Sequence, residues 1–277
     1  RAMDVMDIVD LLIDGVGLDP MKRLAFRALV RYAPRPKESE DCLTLNVTTP
    51  DPYPGSGLPV MVWFHGGNHQ DGSNSELLYQ AAQLPEHGVV LVIPNYRLGV
   101  MGYLCHPELA AESPDGLSGN YGTLDQIAAL RWVRDNIRQF GGNPDNVTIF
   151  GQSAGGESVA HLLTSPLAKG LFHRAILQSP SSAGQMVHRT RPALRYMAAE
   201  DFGAQFASHL VGDEPGQLAR LRALPAKAIV RQARAETDPY LFYPVVDGHG
   251  LPRSPFECFR RGEQHRQQRH EGADDHP

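Results

Sequence analysis

The chain has 277 residues, of which 42% are hydrophobic and 21% charged, and a formal net charge of −5. This is length enough for a substantial core and a globular composition, which excludes a chain disordered throughout. The mild negative charge excludes the basic footprint of a nucleic-acid or acidic-membrane binder, and no run approaches the ~18 apolar residues of a membrane span.

Chain order begins at Arg1, which reads as a start inside a longer protein, and no signal-peptide pattern is visible before Asp41, so the compartment stays unassigned. Residues 1–37 are expected to form an N-terminal helical segment. Leu43–Thr49 alternates with period two, and a Pro/Gly-rich turn (DPYPGSGLP) leads into the continuously apolar Val60–Phe64. Two strands are predicted there, with further strands at Val89–Ile93 and Val147–Phe150. These runs are short, rich in β-branched residues and uninterrupted, the pattern of strands covered on both faces. A weaker fifth strand lies at Ala175–Leu177.

Helix-period segments fall between them. Over Gly122–Phe140 the apolar residues Leu124, Ile127, Leu130, Val133 and Ile137 recur in steps of three and four, and Gly141-Gly142 supplies the left-handed C-terminal cap. Further helices are expected over Ala154–Leu163, Arg195–Leu210 and Pro215–Ala235. Alternating strands and helices imply right-handed parallel crossovers, hence an α/β sheet wrapped by helices. Three widely spaced cysteines without a CxxC argue against a disulfide scaffold or zinc site, and Cys42, Cys105 and Cys258 read as free thiols. After Arg266 the sequence holds one alanine and no other apolar side chain, so residues 267–277 read as a disordered tail.

The chemistry concentrates at Gly151-Gln152-Ser153-Ala154-Gly155, a G-x-S-x-G pattern placed where a strand ends and a helix begins. Such a turn strains the backbone at the serine and lifts its hydroxyl above the sheet, at a helix N-terminus that favours developing negative charge. A tetrahedral oxyanion also needs donors. The backbone N–H of Ala154 is one, and His65-Gly66-Gly67-Asn68, after the strand ending at Phe64, is the glycine-rich loop expected to supply the others.

With these residues in view, the chain resembles the type-B carboxylesterases, the α/β-hydrolase family that includes the cholinesterases. The resemblance rests on Ser39-Glu40-Asp41-Cys42-Leu43 through Val47, on Asn95-Tyr96-Arg97-Leu98-Gly99, and on Phe140-Gly141-Gly142-Asn143-Pro144 through Gly155. Gly119-Asn120-Tyr121-Gly122, Ala175-Ile176-Leu177-Gln178-Ser179 and Pro244-Val245-Val246-Asp247-Gly248 extend it over residues 38–266. It implies an α/β-hydrolase fold, with a mostly parallel central sheet and flanking helices, incomplete at its C-terminal side. It also implies a carboxylic-ester hydrolase acting through an acyl-enzyme, with Ser153 as nucleophile and the N–H groups of Gly67, Asn68 and Ala154 as oxyanion hole. No metal or organic cofactor is implied, and the expected partner is a small-molecule ester.

The sequence departs from the family at several positions. Asn68 stands where a third glycine is usual, Thr48 where an apolar residue is common, and neutral Gln152 where cholinesterases carry glutamate. The family's disulfide partner for Cys42 is absent upstream. A serine hydroxyl needs a histidine base and an orienting carboxylate, and in the family's order both are expected beyond Arg266. The composition change there suggests a truncated or frame-shifted reading of a longer gene, inactive or weakly active as it stands. Asp247 and Glu257 are local candidate acids, and His249, His265, His270 and His276 candidate bases, but Asp247 belongs to a segment the resemblance implies is structural, and the tail histidines have nothing to hold them in a fixed position; His161 and His173 read as surface or packing residues. Two functions therefore stay open: an ester hydrolase, and a hydrolase-like binding module that performs no chemistry.

Overall fold

A computed structural model describes residues 19–32, 38–76, 79, 83–180, 186–193, 196–236 and 242–265. The expected tail at 267–277 lies outside the described residues. The chain divides into two compact units, Arg1–Glu38 and Ser39–Pro277.

In the first unit, helix α1 spans Pro20–Tyr32. The Asp19 carboxylate starts it by accepting the N–H groups of Met21 and Lys22 at 3.1 and 3.0 Å, which satisfies two donors that a helix start leaves without an internal partner.

Among its described residues the second unit is built on five strands, β1 (Leu45–Thr48), β2 (Leu58–Phe64), β3 (Val90–Pro94), β4 (Gly142–Gln152) and β5 (Arg174–Gln178), in the order β1-β3-β2-β4-β5. The four strands β3, β2, β4 and β5 run parallel, and β1 joins β3 antiparallel. Thus β1 and β2, consecutive in sequence, are separated by β3. The Pro/Gly-rich segment between them crosses the sheet end rather than closing a hairpin.

All five residues of β3 are buried, as its unbroken apolar run requires. β4 is longer than its apolar core predicts, because Gly142 pairs with Leu58 ahead of a register shift in β2. β5 lies at the end of the order, with alternating exposure along its length and Ile176 45% exposed.

Two short helices follow β3, α2 (Gly99–Tyr103) and α3 (Pro107–Glu112), then α4 (Tyr121–Asn136), which continues as a 3-10 turn over Ile137–Phe140. Gly141 closes this turn with φ 79°, the left-handed cap expected of it. Of the predicted stripe, Ile127, Leu130, Val133 and Ile137 are buried, but Leu124 is 40% exposed. It belongs to the first turn of α4, where the stripe runs past the edge of what the helix covers.

Helix α5 (Ala154–Thr164) is buried along its entire length. Its Val159, Leu162 and Leu163 join Ile127, Leu130 and Val133 of α4 and Val60, Val62 and Phe64 of β2 in one apolar core. Removing such side chains from water at ~25 cal/mol per Å² is the main force holding α4 and α5 to the sheet.

The helix expected over Pro215–Ala235 is two helices, α7 (Gln217–Arg222) and α8 (Ala226–Ala235), after α6 (Ala199–Val211). Pro225 lacks the N–H that a continuing helix would need and sits as the cap of α8. α6 and α8 pack with α2 through Phe202, Phe206 and Val230 around Val100 and Tyr103. Helix α9 (Pro255–Arg261) closes the described chain. Cys42, Cys105 and Cys258 are unpaired; the last two are buried and Cys42 partly so.

Candidate functional site

The end of β4 and the start of α5 meet at Ser153, whose φ of 56° and ψ of −125° lie in a region a non-glycine residue rarely enters. The turn is forced by close packing of backbone on backbone. A Cβ at Gly155 would stand 2.0 Å from the Phe64 carbonyl oxygen, and one at Gly151 would stand 2.4 Å from the Gly155 oxygen. Both positions therefore admit only glycine, and α5 rests directly on β2 as a result. The Ser153 N–H donates to Gln178 O at 2.9 Å, and Ser153 O accepts from Glu157 N at 3.0 Å. Among the described residues nothing hydrogen-bonds the Ser153 hydroxyl.

The glycine-rich loop lies beside it. A Cβ on Gly66 would come within 2.8 Å of Gln152 O and 3.4 Å of Ser153 Cβ, so the loop and the elbow are in contact. Gly67, at φ 105°, turns so tightly that a Cβ would meet Asp71 O at 2.0 Å, and its carbonyl accepts from Gln70 N and Asp71 N. Asn68 and His69 follow with φ of 59° and 53°. Asparagine tolerates this left-handed backbone better than most side chains, so Asn68 keeps the path that a glycine would take. Gly67 and Asn68 are exposed. Among the described residues no backbone oxygen accepts the N–H of Gly67, Asn68 or Ala154.

His65 anchors the start of the loop. It is fully buried, stacks on Tyr96 at 4.4 Å between ring centroids and keeps Nδ1 2.8 Å from Gly66 O. Burial pushes its pKa down to about 4, with the nearby His69 adding to the shift. The Tyr96 hydroxyl donates to His65 O at 2.7 Å.

The other residues singled out in the sequence are engaged elsewhere. Asp247 Oδ1 accepts the N–H groups of His249 and Leu251 at 2.8 and 2.9 Å, and its Oδ2 accepts from Asn120 Nδ2 at 2.8 Å. Glu257 donates its N–H to the Ser254 hydroxyl at the start of α9. His173 Nδ1 accepts from Val147 N at 3.1 Å, and His265 Nε2 donates to Ser165 O at 2.7 Å. His161 is a packing residue, enclosed in α5, its pKa lowered to about 3 chiefly by burial and then by His69. His270 and His276 lie outside the described residues.

One feature escaped the sequence. His69 and Glu157, 88 positions apart, meet with Nε2 3.2 Å from Oε2, and both side chains are buried. The only local hint was a glutamate inside a helix whose other positions, His161 apart, are small or apolar, since a buried carboxylate needs a partner.

The chain matches the carboxylesterase family over residues 19–270. It is 41% identical over 227 residues to the fumonisin B1 esterase of Sphingopyxis macrogoltabida, covering 81% of this chain and 40% of that protein. It is 42% identical over 241 residues to the para-nitrobenzyl esterase of Bacillus subtilis, covering 83% and 46%. A solved PNB esterase structure superposes with a TM-score of 0.72 at 40% identity, over 84% of this chain and 46% of that one. A Geobacillus stearothermophilus carboxylesterase gives 0.70 at 40% identity, over 83% and 48%. The chain thus spans less than half the length of these relatives. Matched along nearly all of its own length, in sequence and in the course of its sheet, it belongs to the carboxylesterase family and carries the α/β-hydrolase fold.

Proposed function

We propose that the chain is the nucleophile-bearing part of a carboxylic-ester hydrolase. The Ser153 oxygen would attack the carbonyl carbon of a small-molecule ester, and the N–H groups of Gly67, Asn68 and Ala154 would receive the charge that collects on the carbonyl oxygen. Collapse of the tetrahedral species breaks the bond to the alcohol oxygen, which leaves with the serine's proton. Water then repeats the attack on the acyl-serine and releases the acid. A histidine must carry the proton between these groups while a carboxylate orients it, and their place in the family's order is beyond Arg266. The chain through His265 is therefore expected to turn over esters weakly or not at all by itself.

The observation that carries this reading is the strained backbone of Ser153 beside three N–H groups that no backbone oxygen accepts among the described residues. Strain of this kind costs on the order of 1–3 kcal/mol and survives when the surroundings enforce it, as the Gly151 and Gly155 contacts do. A module that only binds has no use for that cost. The binding reading draws its support from the absence, among the described residues, of a histidine bonded to Ser153.

Hydrolysis of p-nitrophenyl acetate by the chain and by Ser153→Ala separates the two. Turnover lost in the variant supports the hydrolase. Equal background rates, together with equal failure to label with a fluorophosphonate, support the binding module.

A further inference from the structure

We infer that Glu157 and His69 are positioning residues that lock the two halves of the oxyanion hole together. The inference rests on the assignment of Gly67, Asn68 and Ala154 as the donors. Those donors come from two distant segments, a loop after β2 and the first residue of α5. The hole works only if the loop is held at a fixed distance from the helix, because a donor displaced by a fraction of an ångström loses much of its effect on a developing charge.

His69 directly follows Asn68 and is fixed at three points. Its carbonyl accepts from Gly99 N at 2.7 Å. Its Nε2 donates to Glu157 Oε2 at 3.2 Å, and Glu157 stands one helical turn after Ser153 on α5. Its Nδ1 then faces the Tyr103 hydroxyl at 3.4 Å. The imidazole is fully buried, with the Tyr103 and Tyr243 rings edge-on to it and His161 stacked at 6.1 Å. A carboxylate and an imidazole buried side by side hold their geometry firmly, because parting them leaves buried polar groups less well satisfied.

Both nitrogens of His69 are thus committed, one to Glu157 and one facing Tyr103. The pair has the composition of a catalytic acid–histidine dyad, but the imidazole has no nitrogen left for the Ser153 hydroxyl. Its effect on the reaction runs through the position of the Asn68 and Gly67 amides.

The test is hydrogen–deuterium exchange with mass spectrometry on the whole chain, comparing wild type with Glu157→Leu, Glu157→Gln and Tyr103→Phe. Glutamine keeps an oxygen that can accept from Nε2, whereas leucine removes it. Exchange of the 66–71 segment is expected to rise at least tenfold in Glu157→Leu and only about twofold in Glu157→Gln, with the β3 segment 90–94 unchanged. If Glu157→Leu does not fold, Tyr103→Phe carries the test, with a threefold or greater rise in the same segment.

A loop segment that exchanges as slowly as wild type in the folded variants overturns the proposal, whatever the activity. Where the chain shows Ser153-dependent turnover, Glu157→Leu should also lower kcat 10- to 100-fold with KM within twofold, and glutamine should restore most of it; unchanged kcat per labelled serine overturns the proposal. Absence of any Ser153-dependent turnover is what a chain without the family's histidine is expected to show, and the exchange result then decides alone whether the pair locks the loop.

Discussion

Replacing Gly155 by alanine sets two physical effects against each other. Gly155 lies in the first turn of α5, where alanine is favoured over glycine by up to about 1 kcal/mol on helix propensity alone. Against this, the new Cβ would lie 2.0 Å from the Phe64 oxygen, 2.9 Å from its carbonyl carbon and 3.0 Å from that of His65. All three atoms belong to backbone at the end of a central strand, so no side chain can swing away to relieve the overlap. The helix must retreat from β2 by roughly 1.4 Å to bring the 2.0 Å approach back to ordinary contact. Overpacking of this kind costs about 1–3 kcal/mol and occasionally more, and the absence of any flexible neighbour puts Gly155 at the upper end. The net loss is then about 2 kcal/mol or more, a fall in Tm of roughly 4–8 °C for a chain of this size. Differential scanning calorimetry gives the answer directly. Gly170→Ala serves as a control, because nothing lies within 4 Å of its added Cβ and only its left-handed φ of 77° is strained. A Tm for Gly155→Ala equal to or above wild type would refute the reasoning, because propensity would then have prevailed over crowding.

Two further outcomes follow from groups already described. His65 and His161, held near 4 and 3 chiefly by burial, stay neutral in the fold while their unfolded counterparts take up protons near 6.5. The unfolded chain thus binds more protons in the window from about 6.5 down to 4, so stability is full above that window and falls as pH drops through it. Each histidine is expected to remove on the order of 2 kcal/mol by pH 5, read as a declining Tm from pH 7.5 to 5 that His161→Phe makes shallower; a Tm that holds steady over that range would count against the assignment. Asp247→Ala removes the acceptor of three hydrogen bonds and should cost about 2–4 kcal/mol in urea unfolding, with Asp247→Asn milder. A loss below 0.5 kcal/mol would show that these bonds do not hold the 247–251 turn.

What was legible in the sequence was what is local. β3 announced itself through five consecutive apolar residues because both its faces are covered, and Gly141 through the left-handed cap it alone could supply cheaply. The elbow at Ser153 was legible because strand, tight turn and helix are contiguous and the crowding at Gly151 and Gly155 permits one residue type. Leu124 misled because a stripe of apolar spacing says nothing of where its covering ends. Pro225 was absorbed into a helix whose alanine and arginine content outweighed one breaker. The insertion of β3 between β1 and β2 is a long-range pairing that no turn residue records. The contact of His69 with Glu157 left even less trace, since it joins two segments that only the completed sheet brings together.

The amide of Ser153 is tied to Gln178, the last residue of β5, and β5 is the outermost strand of the described sheet. The turn that strains the serine is therefore restrained from one side by a strand paired along one edge only among the described residues. Outer strands detach in local openings that cost less than global unfolding. Each such opening releases the amide and lets the serine relax toward an ordinary conformation. The strained turn then has a melting point of its own, below that of the core, and warming should relax the Ser153 backbone while most of the α/β framework is still folded.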